Sequence, residues 1–164
     1  MKRFMILPLL LVSILAVTQT MALAQDDPVE ILKKHKAAME QGDVDAALAL
    51  YADDAAIEGG GSCRWVSPCV GKAAIRSHLE QRVKNKHRKV TVIADYPSGN
   101  FLTRQVEIRD KRTRKARVDR IIAWGITKIK DGKILFRRGF RDRSDPQTAR
   151  YIKWRREQRR THAR

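Results

Sequence analysis

Between Pro28 and Val83 the apolar residues recur mostly at three- and four-residue steps, and from Lys89 onward the step becomes two. Asp27-Pro28 predicts the start of a first helix, with Val29, Leu32, Ala37 and Met39 on its buried side and Gly42 at its end. Asp43 then caps a second helix running to Tyr51, on which Val44, Ala47, Leu48 and Tyr51 form an apolar stripe. A short strand starts at Ala55-Ala56-Ile57 and breaks at Gly59-Gly60-Gly61. Gly71 to Lys84 reads as a third helix with Ile75, Leu79 and Val83 on one face. Alternation at Val90, Val92 and Ala94 runs into the turn Pro97-Ser98-Gly99-Asn100, and Leu102, Val106 and Ile108 carry the return strand. After a charged tip from Asp110 to Lys115 come a long strand from Val118 to Ile129, a tight turn at Asp131-Gly132, and a last strand from Ile134 to Phe140. Three helices followed by an antiparallel meander, with one strand inserted between the second and third helices, define an α+β fold.

Charge and cysteines add a compartment and a candidate partner class. Lys2-Arg3, the apolar run from Met5 to Val17 and Ala22-Leu23-Ala24 have the pattern of a cleaved export signal, with residues 1–24 removed. Residues 25–143 then form one domain and 144–164 a basic tail or helix. In an oxidising compartment Cys63 and Cys69 are expected to form a disulfide around a five-residue loop; a metal pair is the alternative, without a His or further Cys at ligand spacing nearby. Net charge is −3 over residues 25–83 and +18 over residues 84–164. Such asymmetry suits an anionic partner, and equally a solubilising pattern. The tail from Thr148 to Arg164 reads as a weakly amphipathic basic helix, disordered when free, with Tyr151 and Trp154 three apart among arginines. Aromatics among arginines suit anionic lipid or nucleic acid.

The stretch Gln41-Gly42-Asp43-Val44 through Tyr51-Ala52-Asp53-Asp54 to Ile57, with Gly71-Lys72-Ala73-Ala74-Ile75-Arg76 after it, resembles the nuclear transport factor 2-like superfamily. Its SnoaL-like and ketosteroid isomerase-like branch is the closest. The resemblance implies three N-terminal helices packed against a strongly curved, mostly antiparallel sheet that forms a cone with one open mouth. It also implies a homodimer, for which Ile122, Trp124, Ile126 and Phe136 on the sheet's outer face are the candidates. It does not fix a reaction, because one fold hosts many chemistries.

Counting along the isomerase pattern puts its tyrosine at His35, its catalytic carboxylate at Gly59 and its protonated acid at Gly125. All three functional groups are missing, so the expected molecule is a small-molecule-binding cone without the isomerase set and without a cofactor. The alternative is proton-transfer chemistry on a small carbonyl substrate, with His35 and Asp119 as the candidate catalytic pair. His35, flanked by lysines, also reads as a surface or filler residue. Tyr51, Trp65 and Arg137 are candidate ligand-binding residues: Tyr51 also suits core packing, Trp65 suits a stacking lid, and Arg137 suits an anion if its face of the last strand looks inward. No phosphate-binding loop, zinc-hydrolase motif or serine elbow is present in the sequence.

Overall fold

A computed structural model describes residues 27–85 and 87–161; the expected export signal lies outside them. The elements run α1 (Pro28–Gln41), α2 (Val44–Ala49), β1 (Tyr51–Glu58), β2 (Cys69–Val70), α3 (Gly71–Val83), β3 (Lys89–Ser98), β4 (Phe101–Arg109), α4 (Lys111–Lys115), β5 (Ile121–Lys130), β6 (Lys133–Arg141) and α5 (Pro146–Thr161). Six strands form one sheet in the order β2-β1-β6-β5-β4-β3, antiparallel except for the parallel pair β1–β6. The α+β fold with three N-terminal helices on a curved sheet is as expected.

The local chemistry of the helix ends follows from the sequence. The Asp27 carboxylate accepts from the Val29 N–H at 2.9 Å and Pro28 takes the first turn. Gly42 closes α1 at φ 78°, a left-handed conformation that favours glycine, and Asp43 at once caps α2 through the Ala46 N–H. The buried stripe of α1 is Ile31, Leu32, His35 and Ala38. It meets Ala47 and Leu48 of α2, Ile75 and Leu79 of α3, and Leu102, Ile129 and Ile134 of the sheet in one core.

Four boundaries differ from the sequence pattern. Tyr51 is the first residue of β1, because the Ile134 N–H takes the Leu50 carbonyl at 2.7 Å and draws Tyr51 into parallel pairing with β6. The charged tip is a short helix, α4, closed by a reciprocal cap in which Asp110 accepts from Thr113 and the Thr113 hydroxyl receives the Asp110 N–H. Residues 118–120 lie outside β5, held by the Gln147 side chain, whose oxygen accepts from the Asp119 and Arg120 N–H groups. On β6 a register shift opposite Lys128/Ile129 turns Ile134 into the core, although it shares alternation parity with outward residues.

The basic tail is the largest departure. Residues 146–161 form a helix docked on the sheet. The Thr148 hydroxyl accepts the Ile122 N–H at 2.8 Å, and Asp145 accepts from the Thr148 N–H and hydroxyl. Tyr151, 2% exposed, packs with Ile108, Val118 and Ile121, and the Arg141 guanidinium lies 5.4 Å from its ring centre. Its charges do run round much of the helix, but one turn carries enough apolar and hydroxyl contact to seat it. Arg150, Lys153, Arg156, Arg159 and Arg160 stay exposed. No helix among the described residues is long and apolar enough to cross a membrane.

Removing the Tyr151 ring leaves a cavity under α5, at a cost of about 3 kcal/mol, or roughly 10 °C in Tm for a domain of this size. Calorimetry of Tyr151→Ala should show that loss, with reduced helical circular dichroism. Arg150→Ala, on the exposed face, should leave Tm within about 1 °C.

Candidate functional site

Strand alternation sets one face of the sheet against the helices. Cross-strand pairs place Leu102, Thr127 and Arg137 in one row, Arg104, Gly125 and Gly139 in the next, then Val106 and Ala123, then Ile108 and Ile121. Between this face and α1 and α3 lies a cavity of about 270 Å³. Its lining includes His35, His78, Arg82, Arg88, Arg104 and Arg137 within an apolar girdle of Leu32, Met39, Val90, Val92 and Val106.

The deep end is a hydrogen-bonded trio. Arg137 Nη1 donates to Tyr51 Oη at 2.9 Å and lies 3.3 Å from His35 Nε2, which is 3.1 Å from the same hydroxyl. Because Tyr51 Oη accepts from Arg137, its own proton goes to His35 Nε2. That assigns the imidazole proton to Nδ1 and leaves His35 neutral. Burial is the main cause that holds His35 well below its ordinary pKa, with Arg137, Arg82 and Arg104 adding to it. Tyr51 is fully buried and does not line the cavity; it holds Arg137 in place from beneath.

On α3, His78 and Arg82 are four residues apart and project from one face. His78 Nδ1 lies 2.9 Å from Ser62 Oγ, and burial together with Arg82 and Arg137 lowers its pKa to about 4. Cys63, Cys69 and His78 have donor atoms within 4.8 Å of one another, but the two sulfurs are joined in a disulfide with Cα atoms 5.0 Å apart. That bond removes the thiolates a metal would need.

Charge in the cavity is unbalanced. Arg104 forms a two-pronged ion pair with Asp95 at 2.6 and 2.8 Å, and the lining carboxylates Glu40 and Glu58 are taken by Lys36 and Arg138. Among the described residues no carboxylate pairs with Arg82, Arg88 or Arg137. Burial, then Arg88 and Arg137 nearby, pulls Arg82 down to about 9, so it is still charged at neutral pH. Arg82 is half-buried, and a cation partly withdrawn from water without a partner costs stability.

The remaining sequence candidates lie elsewhere. Asp119 shares alternation parity with Ile121, but β5 begins only at Ile121. It is exposed, accepts from Gln147 Nε2 at 3.3 Å, and does not line the cavity with His35. Trp65, 54% exposed, lies over the Arg138 guanidinium at 4.8 Å rather than in the cavity lining. Glu58, at the end of β1 where the isomerase pattern would carry its base one residue later, lines the cavity edge opposite Arg138 and is ion-paired to it at 2.6 Å.

The glycines at the positions of the isomerase carboxylates differ in kind. At Gly59, φ is 79° and a Cβ would come within 2.0 Å of the Gly139 carbonyl oxygen, so no side chain fits. At Gly125 the nearest atoms to a Cβ are 3.9 Å away, so the space is open but unfilled. His78, Arg82 and Arg88 were missed in the sequence. The Ile75–Leu79 stripe carried the signal for the first two, since its face also takes in positions 78 and 82.

The geometry has a pH consequence. A folded-state pKa of about 4 against 6.5 for His78 means that the unfolded chain takes up the proton first as pH falls. Stability is therefore full above about pH 6.5, declines between about 6.5 and 4, and levels off below, with His35 acting in the same direction. The His78 contribution is about 3 kcal/mol. Urea denaturation of His78→Asn across pH 4 to 7 should give a flatter profile than the parent chain.

In sequence, the family described as SnoaL-like domain matches residues 32–136. No curated protein matches the chain. Solved structures with a similar fold include a putative polyketide cyclase from Sinorhizobium meliloti, 18% identical with TM-score 0.57, covering 68% of this chain and 94% of that one. An LEH-like epoxide hydrolase from M. tuberculosis is 17% identical with TM-score 0.53, covering 76% and 89%. An NTF2-like protein of unknown function from Mesorhizobium loti is 15% identical with TM-score 0.58, covering 70% and 89%. At such identities the likeness is one of fold.

Proposed function

The chain belongs to the SnoaL-like family, and on that premise we propose that it is a binding domain for a small organic acid, held in the cone, without isomerase activity. The carrying observation is the set of guanidinium groups in the cavity that no carboxylate neutralises, above all Arg82 and Arg137 beside a neutral imidazole. A carboxylate entering this space supplies the missing countercharge and accepts from both arginines in low dielectric, where charge-assisted hydrogen bonds are strongest. The apolar girdle takes the carbon skeleton. Proton transfer by His35 with Asp119 finds no support in this arrangement, because the Nε2 lone pair is engaged by Tyr51 and Asp119 lies on the surface. The absence of side chains at Gly59 and Gly125 argues in the same direction.

An arginine kept for a ligand should cost stability when the ligand is absent. Arg82→Met is expected to leave Tm unchanged or higher in the apo protein, while weakening small-carboxylate binding by about tenfold or more in calorimetric titration. A variant that loses stability and keeps affinity would mark Arg82 as structural and sink the reading. No binding of any small carboxylate to the parent protein would do the same.

We place the protein outside the cytoplasm, on the Ala22-Leu23-Ala24 site and the Cys63–Cys69 bond. The sheet's outer face supports self-association: Tyr96, Phe101 and Phe140 are exposed there beside Trp124 and Phe136. A homodimer through this face predicts twice the chain mass by light scattering at micromolar concentration, reduced to one by Trp124→Glu. A parent protein of single-chain mass would rule it out.

A further inference from the structure

Arg88 introduces a second, separate demand for negative charge. It sits just before β3, whose Val90 pairs with Ile108, and Ile108 pairs with Ile121. Arg137 pairs with Thr127, six residues further along β5. Arg88 leaves the chain two residues before the Val90–Ile108–Ile121 row, so the two arginines enter the cavity from opposite ends of this face, and Arg82 reaches both. The Arg88 Nε is buried without a hydrogen-bond partner, the one such side-chain atom among the described residues.

Arg88 has one carboxylate nearby, Asp110, but no ion pair with it among the described residues. The nearby carboxylate of Asp110 caps α4 by accepting from the Arg112 and Thr113 N–H groups. Arg141 is also close, stacked on Tyr151 where α5 closes this end of the fold. The cavity therefore carries Arg137 at one end and Arg88 at the other, with Arg82 in reach of both and apolar side chains along its walls, so one carboxylate at Arg82 and Arg137 leaves Arg88 without a countercharge inside the cavity.

We infer that the ligand is an elongated dianion: a dicarboxylate-type acid with one head on Arg82 and Arg137 and the other on Arg88. The inference rests on the organic-acid reading above and narrows it. A cavity of about 270 Å³ has room for about nine waters, so the fit is a linear diacid of about ten non-hydrogen atoms. Specificity comes from the second head: a skeleton ending in a neutral group would strand Arg88 without a partner and lose affinity.

The test is calorimetric titration of the full mature chain with glutarate, adipate, pimelate and suberate, each beside its monoamide, at fixed ionic strength. The best diacid is expected to bind about tenfold or more tighter than its monoamide. Arg88→Gln is expected to erase that preference, so that diacid and monoamide bind equally. Equal binding of diacid and monoamide by the parent chain overturns the two-headed ligand and leaves the organic-acid reading standing. A preference that persists in Arg88→Gln overturns the role of Arg88. Binding of neither class overturns both readings, and the diacid–monoamide comparison on the parent chain stands whether or not the variant folds.

Discussion

The parallel pairing of β1 with β6 is the constraint on which the rest depends. It ties a strand that follows directly from the helices to the last strand of the meander, with Tyr51 set against Ile134 and Ile57 against Arg137. It also sets α3, which packs chiefly on β1, over the sheet. The same pairing delivers the Tyr51 hydroxyl to Arg137 and, through it, to His35 on α1. Three elements far apart in sequence are thus joined by a polar contact inside the core, where an unmet partner is costly and a met one fixes geometry.

Most of the architecture was legible in the periodicity, because α1 to α3 and the strands after Lys89 each keep their own repeat over a sufficient length. What misled was local. Tyr51 fits the apolar stripe of α2 by spacing, and only a hydrogen bond from residue 134 decides that it begins a strand. Asp119 fits the inward parity of β5, but parity means nothing three residues before the ladder starts. Alternation grouped Arg137 with Leu135 and Gly139 but left open which face looks inward; pairing with Thr127 beside Leu102 turns it into the cavity. His35 was found by its position in a resemblance, whereas His78 and Arg82 needed the phase of α3. The docking of α5 rests on Thr148 and Tyr151, two side chains too few to stand out in a helix dominated by arginine.

Electrostatics separates what is structural from what is held ready. Glu58 with Arg138 and Asp95 with Arg104 are closed pairs that fix strand register. Arg82, Arg88 and Arg137 carry the same group with no such closure. A neutral His35 is consistent with that excess, because every strong influence on it favours losing its proton. Burial, the larger cause, acts in the same direction on both histidines, so the polar lining of the cavity is cationic through its arginines alone.

The β1–β6 pairing also governs how the chain reaches this state. Glu58 and Arg138 are 80 residues apart, so the sheet cannot close until nearly the whole domain has been made. By contrast, the Cys63–Cys69 ring spans six positions and closes locally at any stage. The bond then joins the core when β2 pairs with β1 and Cys63 is buried. Before β1 arrives, β6 is an edge strand, and Arg137, Arg138 and Arg141 along it are the kind of charge that opposes pairing with another chain.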